Sequence, residues 1–173
     1  PVKGGRLAGS LVTPAADAAP TRPDVVLIVA GSGPTNRDGN SAGAPGRTDS
    51  LKGLAYGLAS RGIATLRYDK RGIGASRMAL GDEADLRFDD LADDVAAWIP
   101  WLRAEGRFGR VILLGHSEGG SLAQRAIERG AKPDALILLE APADRAAEIL
   151  RSQLSGRLPA ALAARSEAIL TGL

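Results

Sequence analysis

"RVILLGHSEGGSLAQRAIERG", residues 110–130, places an apolar run, a glycine-rich turn and an amphipathic segment in direct succession. The run at 110–115 contains Val, Ile and Leu without polar alternation, which is typical of a strand buried on both faces. Residues 118–130 predict a helix that ends at Gly130. A buried strand that turns directly into a helix is the repeating unit of a parallel sheet covered by helices.

The same alternation continues on both sides of this stretch. Apolar runs bounded by turn residues predict further strands, and segments with helical periodicity lie between them. In chain order the sequence predicts strands at 5–14 and 24–30, a helix at 49–62, a strand at 63–69 and a helix at 85–105. A further buried strand is predicted at 134–142, after the stretch quoted above. Because connections between parallel strands are right-handed crossovers, this order predicts an α/β fold with a mostly parallel sheet and flanking helices.

Three glycine-rich turns follow predicted strands, at 31–33, 70–76 and 115–120. The carboxyl ends of parallel strands meet at one edge of a sheet, where such folds place their functional groups. We expect these turns to lie close together and to carry the chemistry. Asp69 and its neighbours at 70–76 are expected to form a tight turn held by side-chain hydrogen bonds.

Two of these turns partly match nucleotide-binding motifs, but each lacks a residue that its motif requires. The turn after 24–30 begins like a dinucleotide-binding fingerprint, but Asn36 stands at the place of its third glycine. Gly115 and Gly120 have the separation of a phosphate-binding loop, but Ser121 occupies the place of the required lysine. The sequence therefore does not support a nucleotide cofactor.

The segment Gly115-His116-Ser117-Glu118-Gly119 matches G-x-S-x-G between a strand and a helix, the context in which that motif forms a nucleophile elbow. The residues two places before and after the serine must be small so that the strand and helix can approach each other. Such a turn is strained and lifts the hydroxyl of Ser117 out of the sheet. Ser117 is therefore the candidate nucleophile.

Backbone amides near this turn are candidates for an oxyanion hole. The predicted helix directs its positive end at the turn, so the amide of Glu118 can donate to a developing oxyanion. A second donor is expected from the turn that follows the strand ending at Ala30, from the amide of Ser32 or Gly33.

His116 adjoins the candidate nucleophile and is the only histidine among the 173 residues. A sharp turn sends neighbouring side chains in different directions, so we expect His116 to pack or hydrogen-bond near the turn and not to act as the base. Arg37 and Asp38 either shape the mouth of the site or pair with each other, and the sequence alone leaves both open.

Composition excludes several classes of function. The net charge is only +2, and no basic cluster is interleaved with aromatic residues, so nucleic acid is not an expected partner. With no cysteine and one histidine, we expect no metal site. No apolar run is long enough to span a bilayer, and the cellular compartment stays open.

Three blocks of the chain resemble the α/β-hydrolase superfamily, specifically bacterial esterases related to the serine-aminopeptidase-like hydrolase domain. These blocks are "GSGPTNRDGN" (31–40), "LRYDKRGIGAS" (66–76) and "GHSEGG" (115–120), and their order and spacing match along most of the chain. The resemblance implies that Ser117 is the nucleophile, that carboxylic esters of small molecules are hydrolysed, and that no cofactor takes part.

One departure from that family concerns the rest of the triad. The resemblance implies the order serine, acid, histidine, with the last two after further sheet strands. We therefore expect residues 1–143 to form the N-terminal part of the core, without its C-terminal strands, and 144–173 to begin a helical cap. The acid and histidine are expected beyond residue 173, so the chain alone should hydrolyse esters very poorly.

Alternatives remain within the same scaffold. Peptidase, amidase or thioesterase activity would use the same nucleophile, and a hydrolase-like protein could bind a ligand or partner without catalysis. The segment 144–173 carries leucines at every fourth position from Leu150 to Leu162, which could also mediate self-association.

Overall fold

The structure, a computed structural model, describes residue 2 and residues 4–15 and 20–171. It contains one five-stranded sheet with the strand order β1-β3-β2-β4-β5. The strands are β1 (Gly9–Val12), β2 (Val25–Val29), β3 (Ala64–Tyr68), β4 (Val111–His116) and β5 (Ala135–Leu139). β1 pairs antiparallel with β3, and all other pairs are parallel. The predicted α/β class with a mostly parallel sheet is confirmed.

Three helices connect the parallel strands as predicted, and two more follow β5. They are α1 (Ser50–Ala59), α2 (Phe88–Ala104), α3 (Glu118–Glu128), α4 (Ala146–Leu154) and α5 (Ala160–Thr171), with two short 3-10 helices at Gly74–Ala79 and Glu83–Asp85. α2 continues through Pro100, although proline lacks the amide that would donate to the carbonyl four residues earlier.

The central strand β2 is buried on both faces, which explains its lack of polar alternation. Val25, Leu27 and Val29 belong to the larger core, between the sheet and α2 and α3. Val26 and Ile28 belong to the smaller core, between the opposite face and α1. Side chains alternate across a strand, so an uninterrupted apolar run is what a three-layer arrangement requires.

The last strand, β5, departs from the prediction. The element is present within 134–142, but it is not buried: Ile137, Leu138 and Leu139 are 43%, 45% and 39% exposed. The reason is its position, because β5 pairs only with β4 and forms the edge of the sheet within the described residues. An apolar sheet edge of this kind is a ready surface for further pairing.

α3 approaches the sheet so closely that two positions exclude any side chain. A Cβ added to Gly119 would lie 2.7 Å from the carbonyl oxygen of Ala30 and closer still to that of Val29. A Cβ added to Gly115 would lie 2.5 Å from the Cα of Gly120. These are backbone atoms of α3 and of the end of β2 with the residue that follows it, and they cannot move aside as a flexible side chain can.

Ion pairs join α2 to α3 on the outer surface. The guanidinium of Arg125 donates to both carboxylate oxygens of Asp89, at 2.7 and 3.0 Å. Arg129 contacts Asp93 in the same bidentate way, at 2.7 and 2.9 Å. These hydrogen bonds lower the pKa of each carboxyl group, with the attraction of the positive charge acting in the same direction.

Residues Pro142–Leu173 form a compact unit separate from Pro1–Ala141. Its helices α4 and α5 pack against each other, and Arg151 forms an ion pair with Glu167 at 2.8 Å. Leu170 is buried, whereas Leu150 and Leu162 are 40% and 52% exposed. Within the predicted cap segment 144–173, α4 and α5 are joined by a turn at 155–159, and residues 172 and 173 lie outside the described residues.

Gly119→Ala and Gly53→Ala make a matched test of the close approach of α3. Gly53 lies in α1 with open space around an added Cβ, so alanine should raise the free energy of unfolding by about 0.5–1 kcal/mol. At Gly119 the same methyl group should lower it by about 1–3 kcal/mol, because backbone must move. Urea unfolding of both variants checks this, and similar effects at the two positions would show that the contact is loose.

A second test concerns the outer ion pairs. Because Asp89 and Asp93 have lowered pKa values in the folded state, they stabilise it above the usual pKa of about 3.9, and this contribution is lost as the pH falls through the folded-state values. Replacing both by Asn should lower the thermal midpoint at pH 7 slightly, on the order of 1 °C. The difference from the unmodified chain should shrink as the pH falls through the lowered folded-state pKa values of the two carboxyl groups.

Asp85→Asn is the control for this test, because Asp85 is exposed and forms no ion pair within the described residues. Thermal unfolding between pH 2 and 8 is the measurement. A destabilisation of the double variant that stays constant over this range would mean that the charges do not cause it.

Candidate active site

The turns after β2, β3 and β4 meet at the carboxyl edge of the parallel strands, as the sequence predicts. The turn after β2 lies directly against the G-x-S-x-G turn: a Cβ added to Gly31 would be 3.2 Å from the Cβ of Ser117 and 3.2 Å from Nδ1 of His116. The turn after β3 reaches both of them through side chains. These three turns form the candidate active site.

Ser117 links β4 to α3 in a conformation that L-residues rarely adopt, with φ 53° and ψ −127°. Its amide donates to the carbonyl of Leu139 at 2.9 Å, and its carbonyl accepts from the amide of Gly120 at 2.8 Å. Strained backbone of this kind persists only where the surroundings hold it, and it is concentrated at functional sites. Within the described residues the Ser117 hydroxyl has no hydrogen-bond partner.

Three amides beside Ser117 are available to a ligand. In the part of the chain that the structure describes, the amides of Ser32, Gly33 and Glu118 donate to no acceptor. Glu118 is the first residue of α3, so its N–H has no partner within the helix and carries part of the positive end of the helix dipole. All three amides predicted from the sequence are thus unpaired and close to the same turn.

Polar contacts hold the long turn after β2 in place. The side-chain oxygen of Asn36 accepts from the amides of Asp38 and Asn40, at 3.0 and 3.1 Å. Asp38 pairs with the buried Arg67 at 2.9 Å. The amide of Arg37 donates to the carboxylate of the residue that directly follows β3. Arg37 and Asp38 therefore bind partners on or just after β3 and do not pair with each other.

Asp69 provides that carboxylate and joins two turns. One oxygen accepts from the amide of Arg37 at 2.8 Å, and the other accepts from the amide of Ala75 at 3.0 Å. Ser76, also buried, accepts from the amide of Ala8 at 2.9 Å. The expected tight turn held by side-chain hydrogen bonds is confirmed.

Arg71 extends the same turn toward α2. Its guanidinium donates to both carboxylate oxygens of Asp94, at 2.6 Å each, and both side chains are almost fully buried. Hydrogen bonding to Asp94 raises the pKa of Arg71 above its usual value. A buried bidentate pair of this kind fixes the orientation of the turn relative to α2.

Lys70 is a site residue that the sequence did not identify. It is 5% exposed, and its ammonium group donates to the carbonyl of Gly31 at 2.5 Å and to the carboxylate of Glu118 at 3.1 Å. The only signal in the sequence was its position directly after a buried strand, within a block of charged residues.

His116 is the last residue of β4 and is half-buried beside the turn. Among the described residues its ring forms no hydrogen bond, with Ser117 or with any other group. It lines a cavity of about 170 Å³ together with Ser117 and the hydroxyl groups of Thr35, Ser41 and Ser50. This cavity is small and polar compared with the pockets that hold most drug-sized ligands.

A second cavity, of about 520 Å³, lies beside Lys70 and Glu118. Its other lining side chains are mainly apolar and include Ile73, Leu80 and Leu91. Within the described residues, no three His, Cys, Asp or Glu side chains come together as a possible metal site, and no helix is long and apolar enough to cross a membrane.

Comparison with known proteins places the chain among hydrolases. Residues 43–167 match the family described as serine aminopeptidase, S33. Esterase EstD of Thermotoga maritima is 32% identical over 130 residues, which cover 75% of this chain and 29% of that esterase. The chain thus spans less than a third of the curated relative that it matches.

Solved structures agree in fold. A lidless α/β serine hydrolase from Xanthomonas campestris superposes with a TM-score of 0.62 at 26% identity, over 83% of this chain and 60% of that protein. Proline iminopeptidase from Mycobacterium smegmatis gives 0.63 at 20% identity, over 98% and 54%, and supports the fold alone. With the family match over most of its length, the chain belongs to the serine aminopeptidase S33 family of α/β hydrolases.

Proposed function

We propose that this chain carries the nucleophile and oxyanion half of a serine hydrolase that cleaves carboxylic esters through an acyl-enzyme on Ser117. The observation that carries the proposal is the strained turn at Ser117 with unpaired amides beside it. The similarity to an esterase supports an ester as substrate. Because the chain spans only part of its relatives, the activity is proposed for the whole protein.

The proposed reaction begins with attack of Ser117 Oγ on the acyl carbon, while a histidine accepts the hydroxyl proton. The carbonyl oxygen becomes an oxyanion and accepts hydrogen bonds from the amide of Glu118 and from that of Ser32 or Gly33. Collapse of the tetrahedral intermediate breaks the ester C–O bond, and the histidine protonates the departing alcohol. Water then hydrolyses the acyl-enzyme by the same steps and releases the acid.

We further propose that the catalytic acid and histidine lie outside these 173 residues. His116 is the only histidine, and in the described residues it has no hydrogen bond to Ser117. The exposed apolar strand β5 offers an edge on which further strands could pair and bring those residues to the site. We also propose that residues 144–173 begin a helical cap.

A peptidase is the second candidate, because the matching family is described as serine aminopeptidase. The same nucleophile and amides would serve an amide substrate. Turnover of an aryl acetate and of an amino-acid p-nitroanilide separates the two, since the esterase proposal requires cleavage of the acetate without measurable cleavage of the anilide, whereas a peptidase would cleave the anilide.

Labelling with a fluorophosphonate tests the nucleophile. We expect a covalent adduct on Ser117 in the longest polypeptide that the reading frame encodes, and loss of that adduct in Ser117→Ala. Ser121→Ala is the matched control, because Ser121 lies one turn further along α3 and should leave labelling unchanged. Peptide mass spectrometry locates the adduct, and labelling that survives Ser117→Ala would refute the assignment.

Two comparisons test the source of the base. The 173-residue chain should react with the fluorophosphonate at least about 1,000-fold more slowly than the longest encoded polypeptide, because a missing triad member costs that much or more. His116→Ala in the longer polypeptide should change the rate less than about tenfold, as expected for a residue that is not the general base. Rapid ester turnover by the 173-residue chain that His116→Ala abolishes would make His116 the base.

A further inference from the structure

The buried lysine of the candidate active site poses an energetic question. The side chain of Lys70 is 7% exposed, and an ammonium group removed from water is costly unless hydrogen bonds and a counter-charge compensate it. The contacts of its ammonium group must therefore compensate the cost of burying the charge.

The ammonium group of Lys70 contacts the two segments that carry the unpaired amides. The ammonium donates to the carbonyl of Gly31, directly before Ser32, and to the carboxylate of Glu118, whose own amide is unpaired. We propose that Lys70 is a positioning residue that holds both amide donors of the oxyanion hole in the orientation that an oxyanion requires. This inference rests on the proposed function and adds a residue to its machinery.

Peptide geometry supports the first half of the inference. In a trans peptide the C=O and the following N–H point in opposite directions within one plane. The hydrogen bond that draws the Gly31 carbonyl toward Lys70 therefore turns the Ser32 N–H away from the lysine. The Gly31 side of this peptide lies against Ser117, so the plane of that peptide determines where the Ser32 donor points.

Electrostatics supports the second half. A free carboxylate on Glu118, beside the turn where an oxyanion develops, would repel that negative charge. The ion pair with Lys70 at 3.1 Å neutralises the carboxylate and restrains the first residue of α3. Lys70 thus removes an unfavourable charge and fixes the helix end that carries the second donor.

Its neighbours in the turn contact other partners. Asp69 binds the amides of Arg37 and Ala75, and Arg71 pairs with Asp94. Among the contacts of these three consecutive residues within the described part of the chain, only the hydrogen bonds of Lys70 join the turn after β2 to the start of α3. Removing its charge should therefore affect the oxyanion site while the other two contacts keep the turn folded.

The test compares Lys70→Met and Lys70→Arg in the longest polypeptide that the reading frame encodes, with Lys132→Met as the control at an exposed lysine before β5. For p-nitrophenyl acetate, Lys70→Met should lower kcat by about 10- to 100-fold with KM changed less than about threefold, since misplaced oxyanion donors act on the transition state. Lys70→Arg should recover part of this loss.

Phenylboronic acid supplies a readout that a merely structural role would not move. It forms a tetrahedral adduct with a nucleophilic serine and presents an oxygen to the oxyanion donors. Its inhibition constant should therefore rise in Lys70→Met in proportion to the loss of kcat, and it should stay unchanged in Lys132→Met. A kcat and an inhibition constant for Lys70→Met that match the unmodified protein would overturn the role of Lys70.

Glu118→Gln decides the question if Lys70→Met does not fold, because it keeps the side-chain volume and removes the counter-charge. Because this variant also removes the carboxylate that would repel the oxyanion, the expected fall in kcat of about 3- to 10-fold at an unchanged KM must come from the lost restraint on the start of α3, and an unchanged or higher kcat would overturn the positioning role. The proposed function is tested separately by the adduct on Ser117. If the unmodified protein forms no such adduct, both proposals fail, whereas a normal adduct with an unaffected Lys70→Met removes only this one.

Discussion

The close approach of α3 to the sheet is the constraint on which the site depends. Gly119 lies against the carbonyl groups of Val29 and Ala30, where no Cβ fits. This contact holds the start of α3 against the end of β2, with only Ser117 between β4 and α3. A connection so short forces Ser117 into a conformation with a positive φ of 53° that L-residues rarely adopt. The same approach sets the turn after β2 beside the serine. One steric condition thus accounts for the strained serine, the unpaired helix amide and the neighbouring peptide at Gly31.

Buried charged residues at the end of β3 hold the turns of the site in place. Three consecutive residues contact different parts of the molecule. Asp69 binds the turn after β2 and the later part of its own turn, Lys70 binds the Gly31 carbonyl and Glu118, and Arg71 binds α2. Buried charges are tolerated only when they are paired and hydrogen-bonded. The turns have little regular secondary structure of their own, so these contacts are what give them defined positions.

The fold could be predicted from the sequence because its signals are local. The apolar run of β4, the glycines around Ser117 and the helical periodicity of α3 each reflect a neighbour along the chain. The burial of β5 was predicted wrongly, because an apolar strand at an edge has the same sequence as one in the middle of a sheet. Lys70 was missed for a related reason: its partners lie 39 and 48 residues away, and no local pattern records which charged residue of a turn points inward.

A crystal structure of the fluorophosphonate-treated protein tests the central proposal most directly, that Ser117 and the neighbouring amides form one acyl-transfer site. The phosphorus should be bonded to Ser117 Oγ, with the phosphoryl oxygen about 3 Å from the amide nitrogen of Glu118 and from that of Ser32 or Gly33. A phosphoryl oxygen directed to solvent, or a phosphorus attached to any other residue, would contradict the proposal.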